Sequence, residues 1–100
     1  MARVTENEVA FAVVQIARGV TTGVATFHMC KTQVPNHLSL STADRKQSVT
    51  RPNEEMWEQQ IRNIKSHYKV PGNYICEGYL EHVPRVGYRV TNAGRKRTHP

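Results

Sequence analysis

Residues 78–95 constrain the fold of this chain more than any other segment. Their apolar residues fall in two short runs with partial alternation of period two, which predicts two strands. The turn between the runs contains Pro84 and Gly87, which supply a fixed and a free φ angle. Thr91 is placed to cap the turn after the second strand, and Gly94 to adopt a left-handed conformation. We therefore predict an antiparallel hairpin over about residues 79–91.

Two helices are predicted before the hairpin. Thr5 and Glu8 have the spacing of a capping box, and apolar residues then recur at helical intervals until Gly19. This pattern predicts a first helix over about residues 6–18. A second helix is predicted over about residues 22–34, beginning at a threonine cap and ending before Pro35.

The third predicted helix, over about residues 54–67, has one apolar face. Trp57, Ile61, Ile64 and Tyr68 lie on this face at 100° per residue. Residues 36–53 form a long connection before it, in which Ser41 and Asp44 are expected to cap one short turn. The predicted core combines apolar residues from these segments: Val9, Val13, Ile16, Val24, Phe27, Trp57, Ile61, Ile64, Leu80, Tyr88 and Val90.

The size and charge of the chain limit its class. One hundred residues with 38% hydrophobic content fit one domain. The net charge of +6 and the pI near 9.8 are typical of a nucleic-acid-binding module, although many basic proteins bind no polyanion. No apolar stretch is long enough for a membrane span, and the N-terminus lacks a signal-peptide pattern, so a bacterial-type cytoplasmic location is expected.

Residue types that can bind metals or perform catalysis are present, but their spacing matches no recognisable motif. Cys30 and Cys76 do not form a Cys-x-x-Cys pair, and the histidines show no ligand spacing. There is no Ser-His-Asp pattern and no glycine-rich phosphate loop. The sequence therefore predicts a protein that is not an enzyme and that has no metal or cofactor.

The polar face of the third helix is a candidate reading surface. Opposite the apolar face lie Gln59, Arg62, Asn63 and Ser66, and amide and guanidinium groups make bidentate contacts to base edges in the major groove. Lys65 and Lys69 flank this face and can contact phosphates. The alternative is an ordinary solvated helix face, and the acidic residues at positions 54 and 55 favour that alternative because they repel phosphates.

Basic residues also lie on the predicted hairpin and directly after it. Arg85 at its tip and Arg89 on its second strand are placed to contact the DNA backbone or enter a minor groove. Arg95 and Lys96, followed by Arg97, are placed to follow a phosphate strand, or else residues 95–100 form a basic tail or linker. The alternative for Arg85 is a charge that only increases solubility.

A family resemblance is carried by three motifs: Trp57-x-x-Gln60-x-Arg62, Gly78-Tyr79-Leu80-Glu81-x-Val83 and Gly87-Tyr88-Arg89-Val90-Thr91-x-x-Gly94-Arg95. They resemble the winged-helix domains appended to restriction-endonuclease-like proteins, including the Mrr N-terminal type. They are also similar to the winged helices of HNH nucleases that sense methylated bases. The resemblance covers residues 53–97 well, and residues 1–35 only as two preceding helices. It implies a winged helix-turn-helix over residues 1–97, mainly α with a small antiparallel β-hairpin (α+β).

The resemblance also implies a function. It implies binding to double-stranded DNA, with the polar face of the third helix on the DNA, Arg85 on the wing, and a fused or associated nuclease domain beside this module. Tyr68, Tyr74 and Tyr79, with the 36–51 segment, suggest a pocket for a methylated base; the alternative is that these tyrosines complete the core. The alternative function is a winged-helix protein-interaction domain of a transcriptional regulator, which uses the fold to form a homodimer.

Overall fold

The first helix begins at a capping box, as predicted. The computed structural model describes residues 3–49 and 51–100, in which α1 spans Glu6–Arg18. Thr5 Oγ1 accepts a hydrogen bond from the Glu8 amide at 3.0 Å, and the Glu8 carboxylate accepts one from the Thr5 amide at 2.8 Å. Gly19 ends the helix. Both ends are confirmed because their signals are local.

The second helix begins later and ends later than predicted. Residues Val24–Thr26 form strand β1, and α2 spans Phe27–His37. Thr26 Oγ1 caps α2 by accepting a hydrogen bond from the Met29 amide at 3.1 Å. The prediction of a helix over 22–34 was wrong at its start because β1 pairs with a distant strand. It was wrong at its end because Pro35 lies in the last turn, where it removes only one N–H donor.

The remaining elements form a helix, a hairpin and a final helical turn. Helix α3 spans Met56–Ser66, β2 spans Leu80–Val83, β3 spans Gly87–Val90, and α4 spans Asn92–Arg95. The sheet is antiparallel with the order β1-β3-β2. The described residues therefore form an α+β domain with four helices and one three-stranded sheet. None of these helices is long and apolar enough to cross a membrane.

Two glycines of the hairpin region permit close backbone contacts. A Cβ atom at Gly87 would lie 2.0 Å from the Ala25 carbonyl oxygen, and one at Gly94 would lie 2.2 Å from that of Tyr79. Neither glycine has a positive φ; the residue that does in the hairpin turn is Arg85, at 66°. The predicted conformational roles of Gly87 and Gly94 were therefore wrong. Both positions require glycine because a side chain does not fit there.

The core lies between α1, α3 and the inner face of the sheet. Most predicted core residues are buried: Val9, Val13, Ile16, Trp57, Ile61, Ile64, Leu80, Tyr88 and Val90. Val24 and Phe27 are only half-buried. The strand alternation explains the first, because Ala25, the neighbour of Val24, takes the inward position. The core also includes Cys30 and Val34 of α2, and burial raises the pKa of the Cys30 thiol to about 12.

The long connection before α3 folds onto the start of that helix. The predicted turn is confirmed, because Ser41 Oγ accepts a hydrogen bond from the Asp44 amide at 3.2 Å. The Asp44 side chain is 1% exposed, and its carboxylate accepts hydrogen bonds from the amides of Val4 and Ser41, both at 2.8 Å. The Trp57 amide then donates to the Asp44 carbonyl oxygen at 3.0 Å. The connection is thus fixed to both the N-terminal segment and α3.

Candidate nucleic-acid interface

The connection covers part of the polar face of α3. The Gln59 side-chain amide donates a hydrogen bond to Ser48 Oγ in the connection. One turn later, the Arg62 guanidinium forms an ion pair with Glu54, which also precedes the helix. The N-terminal half of the predicted reading face therefore contacts the protein's own chain. A groove-binding role for Gln59 and Arg62 requires these contacts to be exchanged for contacts with a base.

Arg62 and Glu54 make a bidentate pair. Arg62 Nη1 donates to Glu54 Oε2 at 3.0 Å, and Nη2 donates to Oε1. The hydrogen bond with Arg62 lowers the pKa of Glu54, although partial burial opposes this shift. Lys31 of α2 adds a second cation, with its Nζ 3.7 Å from Glu54 Oε2 and 3.9 Å from Glu58 Oε2. These four side chains form a charge cluster at the start of α3.

The predicted site residues in the C-terminal half of α3 and just after it, Asn63, Lys65, Ser66 and Lys69, form no ion pair with the described part of the chain. The Asn63 amide donates to Gln60 Oε1 at 3.1 Å, and the Ser66 hydroxyl donates to the Arg62 carbonyl oxygen at 3.2 Å. Lys65 Nζ lies 5.3 Å from the centre of the Phe27 ring, and Lys69 Nζ lies 5.5 Å from that of Tyr68. Both ammonium groups sit over aromatic rings, where they remain able to contact an anion.

The two hairpin arginines have different surroundings. Arg85 occupies the tip with its left-handed backbone and an exposed side chain. Arg89 lies on the outer face of the sheet, where its Nη1 is 3.8 Å from Glu81 Oε1 on the paired strand. Both side chains of that pair are more than half exposed, so the pair contributes little stability. Arg85 is the cation that the hairpin presents at its end.

The C-terminal basic residues lie at the other end of the hairpin. Thr91 caps α4 by accepting a hydrogen bond from the Gly94 amide at 3.0 Å, which places Arg95 and Lys96 beyond the hairpin base. Both are exposed. Arg97 instead packs against Tyr79, with its guanidinium carbon 4.8 Å from the ring centre. Arg95 and Lys96 are therefore separated from Arg85 by the length of the strands, about 10 Å or more.

The carboxylates of the described residues make hydrogen bonds or ion pairs within the chain, whereas most of the Lys and Arg side chains have no carboxylate partner there. All the Asp and Glu side chains accept a hydrogen bond or form an ion pair. Within residues 3–49 and 51–100, the Lys and Arg side chains paired with a carboxylate are Lys31, Arg45, Arg62 and Arg89. The positive charge that remains is available to an external anion.

Of the two alternatives for the three tyrosines, completion of the core holds for Tyr74 and Tyr79, whereas Tyr68 is half exposed. Tyr74 is 1% exposed and packs edge-on against Tyr79, with ring centres 5.0 Å apart. Tyr68 lies instead in a cleft beside His82. The three tyrosines therefore do not line one pocket. The sequence analysis did not single out His82. The alternation of β2 could have identified it as a residue of the inner face, because residues 80 and 82 lie on the same side of the strand.

No group of three or more His, Cys, Asp or Glu side chains within the described ranges is arranged to hold a metal ion. Comparisons of the chain with protein-family models, with curated proteins and with solved structures gave no significant match.

Proposed function

We propose that this chain is a winged helix-turn-helix module that binds double-stranded DNA through α3 and the hairpin. The observation that carries the proposal is the order of its elements. A helix, a strand and two further helices precede a hairpin whose second strand is central in the sheet. This order is the one expected of a winged helix-turn-helix, in which α3 is the recognition helix and the β2–β3 hairpin is the wing.

The unpaired cations support a DNA-facing surface on α3 and the wing. In this proposal Asn63 and Ser66 approach base edges, while Lys65 and Lys69 contact phosphates. Arg85 enters the adjacent minor groove or contacts its backbone. Arg62 can contact DNA only after its ion pair with Glu54 breaks. The base that it reads must therefore replace both hydrogen bonds that the guanidinium makes to the Glu54 carboxylate. Gln59 likewise exchanges its contact with the connection for a contact with a base.

The remaining cations of the proposed site have accessory roles. Arg89 reaches a phosphate from the outer face of the wing, and Arg95 and Lys96 extend the basic surface toward the chain's C-terminal side. Arg95 and Lys96 lie beyond the base of the hairpin, about 10 Å or more from Arg85 and on no part of α3. Loss of Arg95 and Lys96 is therefore expected to weaken binding less than loss of Lys65 and Lys69.

Titration of a labelled random-sequence duplex tests this proposal. We expect binding at low salt that weakens steeply as salt increases, because phosphate contacts release counterions. Replacing Lys65 and Lys69 by Ala should reduce the salt slope by about 2. Arg18→Ala removes one charge from the last turn of α1 and should change the slope less than either lysine substitution made alone. A concentration-dependent oligomer that does not bind DNA would instead favour the protein-interaction alternative.

We also propose a restriction-type context, in which the module directs a fused or associated nuclease domain and reads a methylated base. The support is the resemblance of residues 53–97 to such winged helices. A methyl group in the major groove offers an apolar contact that an unmodified base lacks. The test compares one duplex set in three forms: unmethylated, with N6-methyladenine and with 5-methylcytosine. Equal affinities would remove methyl recognition and leave binding to ordinary DNA.

A further inference from the structure

A cleft of about 210 Å³ lies between the end of α3 and the inner face of β2. It is lined by Lys65, Tyr68, Ile75 and His82. Its volume is smaller than the roughly 300–1,000 Å³ typical of pockets for drug-sized ligands. The cleft therefore fits a single planar ring better than a complete nucleotide or a peptide segment.

Aromatic groups line the cleft and remain accessible. The Tyr68 side chain is 50% exposed, so part of its ring is open to solvent. The His82 ring lies across the cleft on the inner side of β2, with its centre 6.0 Å from that of Tyr88 and 6.4 Å from that of Phe27. Ile75 supplies an apolar surface. These groups offer stacking and apolar contact to a ring that enters the cleft.

The charge around the cleft is positive. None of its lining residues is acidic, and Lys65 and Lys69 have no carboxylate partner among the described residues. Partial burial lowers the pKa of His82, and the ammonium of Lys65 lowers it further, so the ring is neutral near pH 7. Two ammonium groups beside accessible aromatic rings match the combination by which proteins hold single-stranded nucleic acid.

We propose that this cleft receives an unpaired base of a DNA strand whose duplex portion contacts α3, so that the protein prefers a duplex with a single-stranded extension. The base stacks on Tyr68, Ile75 contacts its edge, and Lys65 and Lys69 hold the phosphates on either side. This inference rests on the proposed function. It adds a substrate class, the junction between paired and unpaired DNA, that a reading helix and wing alone do not require.

The test uses the full chain and two probes of the same sequence. One is a blunt duplex, and the other carries a short single-stranded extension containing 2-aminopurine, whose fluorescence falls when it stacks. We expect the extended duplex to bind at least about fivefold more tightly than the blunt one, with quenching of the 2-aminopurine. Tyr68→Ala should abolish both the preference and the quenching, whereas Tyr68→Phe should retain both.

Val70→Ala is the matched control, because Val70 is 52% exposed and does not line the cleft. It should leave the preference unchanged. Equal affinity of the wild-type chain for the two probes, with binding to the blunt duplex intact, would overturn this inference alone. A Tyr68→Ala variant that folds and keeps the preference would do the same. Failure to bind either duplex would overturn the proposed function together with this inference.

Discussion

The Tyr88 hydroxyl lies between two backbone groups of α3. It donates a hydrogen bond to the Ile61 carbonyl oxygen at 2.5 Å and accepts one from the Lys65 amide at 3.2 Å. In a regular α-helix these two groups bond to each other. Burial raises the pKa of Tyr88, so the hydroxyl remains a donor across the ordinary pH range. The central strand of the hairpin is thereby attached to the backbone of the proposed recognition helix.

Tyr88→Phe should lower the free energy of unfolding by about 1 kcal/mol. The loss stays small because the Ile61 carbonyl and the Lys65 amide can then bond to each other directly. Urea unfolding followed by circular dichroism measures this change. Tyr79→Phe is the control, because the Tyr79 hydroxyl accepts a hydrogen bond from the Arg97 side chain at 3.3 Å and does not bond to the α3 backbone within the described residues. A loss above about 3 kcal/mol would mean that α3 does not recover its regular bonding.

Trp57→Ala should destabilise the protein by about 3–5 kcal/mol, because the indole is 4% exposed in the core. Its Nε1 also donates to Glu55 Oε1 at 2.7 Å. Trp57→Phe keeps most of the apolar contact and should cost less. Trp57 is the only tryptophan, so its fluorescence emission reports on the site directly. Emission at the wavelength of free indole in the folded protein would contradict the register of α3.

Glu54→Gln should tighten DNA binding while it lowers stability. The substitution weakens the bidentate contact that holds Arg62 and removes a negative charge beside the proposed groove-facing side. Arg62→Ala should instead weaken specific binding by about 1–3 kcal/mol. Fluorescence anisotropy with a selected duplex measures both effects. Glu77→Gln is the control, because it removes the same charge from a carboxylate that accepts a hydrogen bond from the Gly72 amide and pairs with none of the proposed DNA-binding cations. An equal gain in that variant would mean that the change in net charge, rather than the release of Arg62, tightens binding.

Because of Asp44, the free energy of unfolding should depend on pH in the acidic range. Burial acts to raise the pKa of Asp44, but the hydrogen bonds from the Ser41 and Val4 amides outweigh it, so the folded-state pKa is lowered. The resulting stabilisation is complete above the unfolded value of about 3.9 and is lost as the pH falls through the folded value.

Asp44→Asn should therefore cost about 2 kcal/mol at pH 7, and the difference from wild type should shrink below about pH 4. Urea unfolding at a series of pH values gives both free energies. Glu81→Gln serves here as an exposed carboxylate control. A constant difference between wild type and Asp44→Asn at every pH would show that Asp44 does not titrate in this range.

The parts of the fold that sequence predicted correctly are those with local causes. The capping box at Thr5, the apolar face through Trp57 and the hairpin after Gly78 are encoded within a few residues of one another. Strand β1 was missed because its three residues have no such signal: Val24 becomes a strand residue only through its pairing with Arg89. Helical spacing alone therefore extended the second helix too far toward its N-terminus.

The candidate site shows the same division. Periodicity placed Gln59, Arg62, Asn63 and Ser66 on one side of α3, opposite the core. It did not show that the connection contacts Gln59 and Arg62, because those contacts join segments without a shared pattern. The cleft beside Tyr68 was also missed, since it depends on how the turn containing Ile75 returns the chain to β2.

The tight contacts at Gly87 and Gly94 limit where the length of the β2–β3 hairpin can vary. They fix Gly87 at the start of β3 and Gly94 in α4 just after it, so that insertion or deletion of residues between them would force a side chain into the Ala25 or Tyr79 backbone. In the turn, the Val86 carbonyl oxygen accepts a hydrogen bond from the Phe27 amide at 2.9 Å, which also fixes Val86 and leaves the tip, Pro84 and Arg85, as the part that projects from the sheet. The length of the β2–β3 hairpin is therefore an adjustable dimension of the fold, and we expect that loops of other lengths can replace Pro84 and Arg85 while the core keeps its packing.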